Sequence, residues 1–293
     1  MPKHPETVAR LQIVGAALLF STGGVAIKAC GLNAWQVACF RSGVAALALL
    51  VALPEARRRW PPAMLARILA VGACYGATMI CFVNANKLTT AANTIYLQAT
   101  SPLYLLVLAP LLLRERLRRH DLLFMGAMAV GMLFLLSGDT ASSATAPDPA
   151  RGNLFAFASG VLWAFTVVGL RGMSRLGPGG AEATAIAGNV IACLACLPLA
   201  LPVHGTRPAD WAVIAYLGVF QIGLAYGWLT RALRHVPAFE ASLLLLVEPV
   251  FNPLWVWLVQ GERPGHLALA GGLVILIATG LHAWQTQRVG TPG

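Results

Sequence analysis

The sequence predicts an all-α integral membrane protein: ten transmembrane helices as two inverted-topology five-helix repeats around a central cavity. Three observations lead there. Only 11% of the 293 residues are Asp, Glu, Lys or Arg while 58% are hydrophobic, and the mean hydropathy is +0.71. Lys and Arg crowd onto alternate connections between apolar runs. A shift of the chain by 147 residues lays several landmark residues on one another.

Soluble domains carry roughly 25% charged residues, so this chain lacks the groups to coat its own surface. A soluble enzyme, a disordered chain and a disulfide scaffold are excluded. At about 20 residues per crossing, ten crossings take about 200 residues and leave only short connections. The net charge of +10 would suggest nucleic acid in a soluble protein. With no basic stripe outside the short loops, it is read here as the charge that sets topology, and no nucleic-acid partner is expected. The six cysteines, Cys30, Cys39, Cys74, Cys81, Cys193 and Cys196, lie within apolar runs or at their ends. Cys193-Leu-Ala-Cys196 has redox spacing but no basic neighbour to stabilise a thiolate; small buried side chains are the simpler reading.

Long apolar runs place the spans at 11–29, 33–53, 64–84, 90–113, 122–137, 154–170, 181–201, 211–230, 238–259 and 267–284. The first follows a polar, weakly basic stretch and precedes further spans, so a retained crossing is expected rather than a cleaved signal peptide. With the N-terminus inside, 15 of the 21 Lys and Arg residues fall in inner segments and 5 in outer ones, with Arg41 alone inside a span. Both termini are therefore expected in the cytoplasm. An odd number of spans would spoil that bias.

Under the 147-residue shift Gly76 falls on Gly223, Ala85 on Ala232, Ala91 on Ala238, Leu97 on Leu244 and Pro102 on Pro249. Glu115-Arg116 falls on Glu262-Arg263. A first repeat at 1–137, a polar periplasmic linker at 138–153 and a second repeat at 154–293 follow. Five spans per repeat is odd, so the second copy enters the membrane upside down. Two such copies with a site between them near the midplane form the architecture of many secondary transporters.

These residues carry a resemblance. The halves resemble two EamA-type units of the drug/metabolite transporter superfamily, whose fourth and ninth spans hold a mid-helix proline and end in a glutamate. The matching residues are Pro102 with Glu115 in ATSPLYLLVLAPLLLRE and Pro249 with Glu262 in LVEPVFNPLWVWLVQGE. Aromatic residues near spans three, four, six and eight make the chain similar to a bacterial aromatic amino-acid exporter of that superfamily. The resemblance implies a ten-helix export carrier of small metabolites, with spans one, three, four, six, eight and nine around the cavity.

Polar groups in lipid must be paired or must line a wet cavity. On the third span Tyr75, Met79 and Phe82 share a face continued by Asn86; on the fourth, Asn93, Tyr96 and Thr100 do. Trp163 lies in the sixth span, Gln221, Ala225 and Trp228 share a face of the eighth, and Glu240, Leu244, Glu248 and Asn252 one of the ninth. The candidate substrate-binding set is Tyr75, Met79, Phe82, Tyr96, Thr100, Trp163, Gln221, Trp228 and Glu248. An aromatic, polarizable wall with a few amides suits an aromatic or amphiphilic solute; helix packing is the alternative for each aromatic. Arg41 and Glu248 are the ionisable groups well inside spans. They read either as contacts to a zwitterionic solute or as structural, with Arg41 favoured as structural because the superfamily's second span lies mainly outside the cavity.

Pro102 and Pro249 are candidate hinges, since a proline removes a donor and disturbs the turn before it. Gly72-x-x-x-Gly76 and Gly223-x-x-x-Gly227 read as close helix packing. Glu115 and Glu262 read as local ion pairs or caps beside their arginines. No G-x-x-x-x-G-K-[ST] loop or H-E-x-x-H occurs, and no cofactor, metal or enzymatic chemistry is expected. The expectation is a secondary carrier exporting amino acids, aromatic and other neutral, and related small metabolites across a bacterial inner membrane by alternating access. Its partners would be a small-molecule substrate and the lipid bilayer, as a monomer or weak homo-oligomer. A carrier for another solute of the same family, a passive channel, and a non-transporting scaffold or receptor are the competing readings.

Overall fold

The computed structural model describes residues 5–101, 103–105, 108, 119–137, 143–236, 240–241 and 244–289. These form helices α1 (Pro5–Ser21), α2 (Gly23–Ala29), α3 (Ala34–Ala52), α4 (Pro62–Leu88), α5 (Ala91–Gln98), α6 (Arg119–Leu136), α7 (Pro149–Arg175), α8 (Gly180–Ala200), α9 (Pro208–Tyr216), α10 (Ala225–Ala232), α11 (Val247–Gln260) and α12 (His266–Val289). Among the described residues there is no β-strand, only one isolated bridge between Ser143 and Ala146.

Local chemistry sets the ends. Asn33 accepts from the Gln36 amide at 2.9 Å while the Gln36 side chain accepts from the Asn33 amide at 3.1 Å, a reciprocal cap that starts α3. Pro149 and Pro208 open α7 and α9, where the missing N–H has no intrahelical partner to lose. Gly179, at φ +89°, turns the chain into α8. A side chain there would meet the Glu55 carbonyl at 2.3 Å, so only glycine fits.

Among the described residues, six stretches are long and apolar enough to cross a membrane: Glu6–Ala29, Ala34–Ala52, Pro62–Leu88, Pro149–Arg175, Gly180–Ala200 and Pro208–Ala232. Leu123–Leu135 and His266–Ala278 are shorter apolar helices. The spans expected at 90–113 and 238–259 lie partly outside the described residues, with α5 and α11 their described parts. Leu47, Val51, Leu154, Leu194, Leu258 and Leu273 stand exposed on the helix surfaces. In water that much apolar surface is a liability; against acyl chains it is the expected covering.

The core is shared between the two halves. One cluster joins Ile13, Leu49 and Tyr75 to Leu170, Tyr226 and Leu229; another joins Val37, Val83 and Ile95 to Ala156, Cys196 and Ile214. α4 packs on α7 and α8, α3 on α8, α6 on α12, and α1 on α10 and α11. The pairings recur under the 147-residue shift, since α4 against α7 corresponds to α10 against α1.

Two elements depart from regular helix. The first crossing bends at Thr22, whose hydroxyl turns back to the Leu19 carbonyl at 2.7 Å and meets the Tyr216 hydroxyl at 2.8 Å. Between α9 and α10 a π-helical stretch, Leu217–Leu224, replaces the α pattern. It lies close to α3: a Cβ on Gly218 would fall 2.5 Å from Val44 and 2.9 Å from the Arg41 carbonyl.

At one end of the bundle Lys28 and Glu262 form a buried ion pair of 2.9 Å, with side chains 5% and 6% exposed. Glu262 also accepts from the Ala91 amide at 2.7 Å and so caps α5. The sequence suggests a local ion pair or a cap for Glu262; the structure makes it a cap of α5 and pairs it with Lys28 of α2 rather than with Arg263. Glu115, its counterpart, lies outside the described residues. At the other end Arg234 bridges Glu182 and Glu55, and Arg10 holds Glu240 at 2.7 Å. Arg207 stands exposed beside Asp210, and their hydrogen bond raises its pKa above the usual arginine value.

Candidate functional site

Eight elements from both halves bring side chains to one cavity. α1 supplies Phe20, α3 Arg41, α4 Met79 and Phe82, α5 Gln98, and α7 Trp163. The π stretch adds Gln221 and Ile222, α10 adds Tyr226, and α11 adds Glu248. A second space adjoins it through Gln98, Trp163 and Glu248 and is also lined by Ile95, Ser101, Leu245 and Pro249.

The aromatic part centres on Tyr226. Its ring meets Phe20 at 5.0 Å, Tyr75 at 4.7 Å and Trp163 at 6.2 Å, all edge-on. Such T-shaped contacts fix ring orientation, so the wall is organised before any solute arrives. The polar part is under-satisfied. Gln98 donates to Ser159 at 2.7 Å, but the Gln221 carbonyl oxygen has no partner among the described residues. Arg41, 1% exposed, reaches only Met79 among the described residues, through its carbonyl at 3.3 Å and its sulfur at 3.5 Å. Glu248 has no Lys or Arg within 4.0 Å among the described residues. Buried polar groups are normally paired, so a cluster of orphans around one space is the signature of a site completed by something else.

The structure sorts the sequence candidates. Met79, Phe82, Trp163, Gln221 and Glu248 line the cavity. Tyr75 sits behind it, fully buried, its hydroxyl accepting from Asn189 at 2.9 Å. Tyr96 lies against α12, where a Cβ on Gly272 would fall 2.5 Å from its ring. Thr100 bonds to the Leu97 carbonyl and the Tyr104 hydroxyl. Trp228 covers Gly15 of α1, 2.8 Å from a Cβ built there. Pro102 lies outside the described residues. Pro249 borders the second space and falls in the first turn of α11, not at mid-helix, because the ninth segment is interrupted at Leu245 and Leu246.

Five lining residues lie outside the candidate set: Phe20, Arg41, Gln98, Ile222 and Tyr226. For Arg41 the sequence leaves a solute contact open and favours a structural role through the position of its span. Phe20, Gln98 and Tyr226 carried aromatic or amide signals, yet Tyr226 is off the α-helical face of Gln221 and only the π stretch brings it round. Among the described residues no three His, Cys, Asp or Glu side chains stand close enough to share a metal ion.

Comparison with known proteins places the molecule. The EamA-like transporter family model matches residues 8–137 and 150–283. The chain belongs to the EamA-like transporter family. It is a multi-pass membrane protein and a transporter rather than an enzyme. A pseudopaline exporter, CntI of Pseudomonas aeruginosa, is 25% identical over 276 residues, 92% of this chain and 93% of that one. The transporter YyaM of Bacillus subtilis is 22% identical over 217 residues, 71% of this chain and 70% of that one. A crystal structure at 18% identity superposes with a TM-score of 0.67 over 97% of this chain and 99% of the other, which shows a shared fold.

Proposed function

We propose that this EamA-like chain is a secondary carrier that exports amino acids, aromatic and other neutral ones, and related small metabolites across a bacterial inner membrane by alternating access. The observation that carries this reading is the cavity where α1, α3, α4, α5, α7 and α11 meet the π stretch, edged by four aromatic rings and orphaned polar groups. A chamber of that make-up suits a solute with an aromatic or aliphatic body and a polar head. In this proposal 1–137 and 154–293 are inverted repeats joined by 138–153, with both termini cytoplasmic. The helix pairings that recur under the 147-residue shift support it, and the chamber lies where inverted repeats build their sites. Met79, Phe82, Trp163, Gln221 and Glu248 form the solute-contacting wall, Tyr75 backs it, and Pro249 marks a hinge beside it.

The pseudopaline exporter supports the outward direction, and its named cargo raises a second reading, a larger metallophore-like metabolite as substrate. Purified protein in liposomes, loaded with labelled phenylalanine, threonine or methionine, tests the proposal. Saturable, protein-dependent exchange is expected for at least one of them. Leak equal to empty liposomes for every amino acid defeats the amino-acid reading, and flux that never saturates turns the protein into a channel.

A further inference from the structure

We infer that Arg41 is the docking group for a carboxylate, and that the solutes this chain carries bear a free carboxylate at one pole and a cation at the other. The inference rests on the carrier reading above and names the chemistry of its substrate.

The argument starts from an unpaid electrostatic debt. Arg41 is 1% exposed and borders the cavity. At 1.5 Å per residue it stands about 10 Å from the start of α3 and about 16 Å from its end, away from the interfaces to which an arginine head otherwise snorkels. Nε and Nη1, which carry three of the guanidinium's five N–H donors, have no acceptor among the described residues. The remaining nitrogen makes only the two contacts to Met79, at 3.3 and 3.5 Å. A structural arginine in an apolar bundle is held by several carbonyls or by an acid; this one has a single carbonyl. A buried cation without a counter-charge is strongly unfavourable, and it persists where an anion arrives to meet it.

The opposite pole is in the same cavity. Glu248 lines it, and no ion pair within 4.0 Å joins it to Arg41 among the described residues, so the two groups stand apart. Gln221 lines it too, with its carbonyl oxygen unused. Unused guanidinium donors at one place, and at another an unused Gln221 oxygen beside a carboxyl group without a Lys or Arg partner among the described residues, complement a zwitterion, with the carboxylate on Arg41 and the ammonium towards Glu248 and Gln221. Tyr226 and Trp163, edge-on to each other at 6.2 Å, receive the body of the solute. Bidentate carboxylate recognition is what the planar guanidinium does best, and lysine at this position would supply charge without the fork.

The test is a panel in proteoliposomes: phenylalanine, phenylalaninamide and phenethylamine as competitors of labelled phenylalanine exchange, with wild type, Arg41→Gln and Arg41→Lys. Wild type is expected to favour phenylalanine over both carboxylate-free analogues by about tenfold or more in apparent affinity, the range for a lost hydrogen bond to a charged group. Arg41→Gln is expected to lose that preference while keeping its thermal unfolding transition in detergent, and Arg41→Lys to retain part of it. Equal competition by the analogues in wild type overturns the inference and leaves the carrier intact, as does an Arg41→Gln protein that keeps the preference. If Arg41→Gln does not fold, the wild-type panel decides alone. Absence of exchange for phenylalanine and every other labelled solute overturns the carrier reading, and the inference with it.

Discussion

Pro62–Leu88 and Pro208–Ala232 occupy matching places under the 147-residue shift, yet they present side chains to the cavity by different periods. In the first, one unbroken α-helix, Met79 and Phe82 face the space three residues apart, as an α-helical stripe requires. In the second, Gln221, Ile222 and Tyr226 face it, and Trp228, seven residues after Gln221, does not. The π stretch Leu217–Leu224 accounts for the difference. A π turn accommodates an extra residue, and at 3.6 residues per α turn one residue rotates everything after it by about 100°. Tyr226 is thereby swung onto the cavity face and Trp228 onto Gly15. Helix length and apolar character are similar in both, 27 and 25 residues at mean hydropathy 1.8 and 1.6; the hydrogen-bond pattern decides which aromatic faces the cavity. π stretches concentrate at functional sites, and this one borders the Arg41 region through Gly218.

The most damaging way to break that comparison is to make the second element like the first. Deleting Val219, a lipid-exposed residue inside the π stretch, lets the turn close as α-helix and carries Tyr226 off the cavity by about 100°. Exchange in proteoliposomes is expected to fall to the level of empty liposomes, with the protein still monodisperse by gel filtration. Exchange at the wild-type level from the deleted protein would end the π-based account.

Next in size is the division of labour between two tryptophans. Trp228→Ala removes the ring that covers Gly15 and is expected to destabilise by about 3 kcal/mol, the lower range for a tryptophan truncated in a packed site. Thermal unfolding in detergent reads this, and the half-saturation constant of the surviving carrier stays at its wild-type value. Trp163→Ala, on the cavity wall, is expected to raise that constant by about tenfold through lost aromatic contact. The opposite pattern, with Trp228 governing half-saturation and Trp163 only stability, would reverse the assignment.

Against this background the legible and illegible parts of the molecule separate on physical grounds. Spans read at 33–53 and 181–201 fold as Ala34–Ala52 and Gly180–Ala200, because apolar runs ending in caps and turn residues carry their own boundaries. Met79 and Phe82 were legible because α4 is regular. Tyr96 and Trp228 were misplaced because the wall a residue faces depends on its partner. A glycine across the interface, Gly272 or Gly15, opens a slot that draws the ring away from the cavity, and no stripe on one helix reveals the glycine of another. Arg41 is legible as a lone charge in an apolar run, and its span's place in the resemblance tips the sequence reading towards a structural role.

The smallest effect sharpens the comparison most finely. Tyr75 shares the α-helical stripe of Met79 and Phe82, and by period alone it belongs on the wall. It is instead fully buried, with its hydroxyl on Asn189 and its ring 4.7 Å from Tyr226, so it acts by holding Tyr226 in place. Tyr75→Phe keeps the ring and removes the neutral hydrogen bond from Asn189, a loss of about 1 kcal/mol. Asn189 still donates to the Ala185 carbonyl at 2.9 Å, which limits the damage. Thermal unfolding is expected to shift slightly downward while substrate competition constants stay unchanged. A change in those constants of about tenfold or more, the equivalent of about 1.4 kcal/mol in binding, would put the Tyr75 hydroxyl in contact with the solute, and the stripe on α4 would then extend one turn deeper into the chamber.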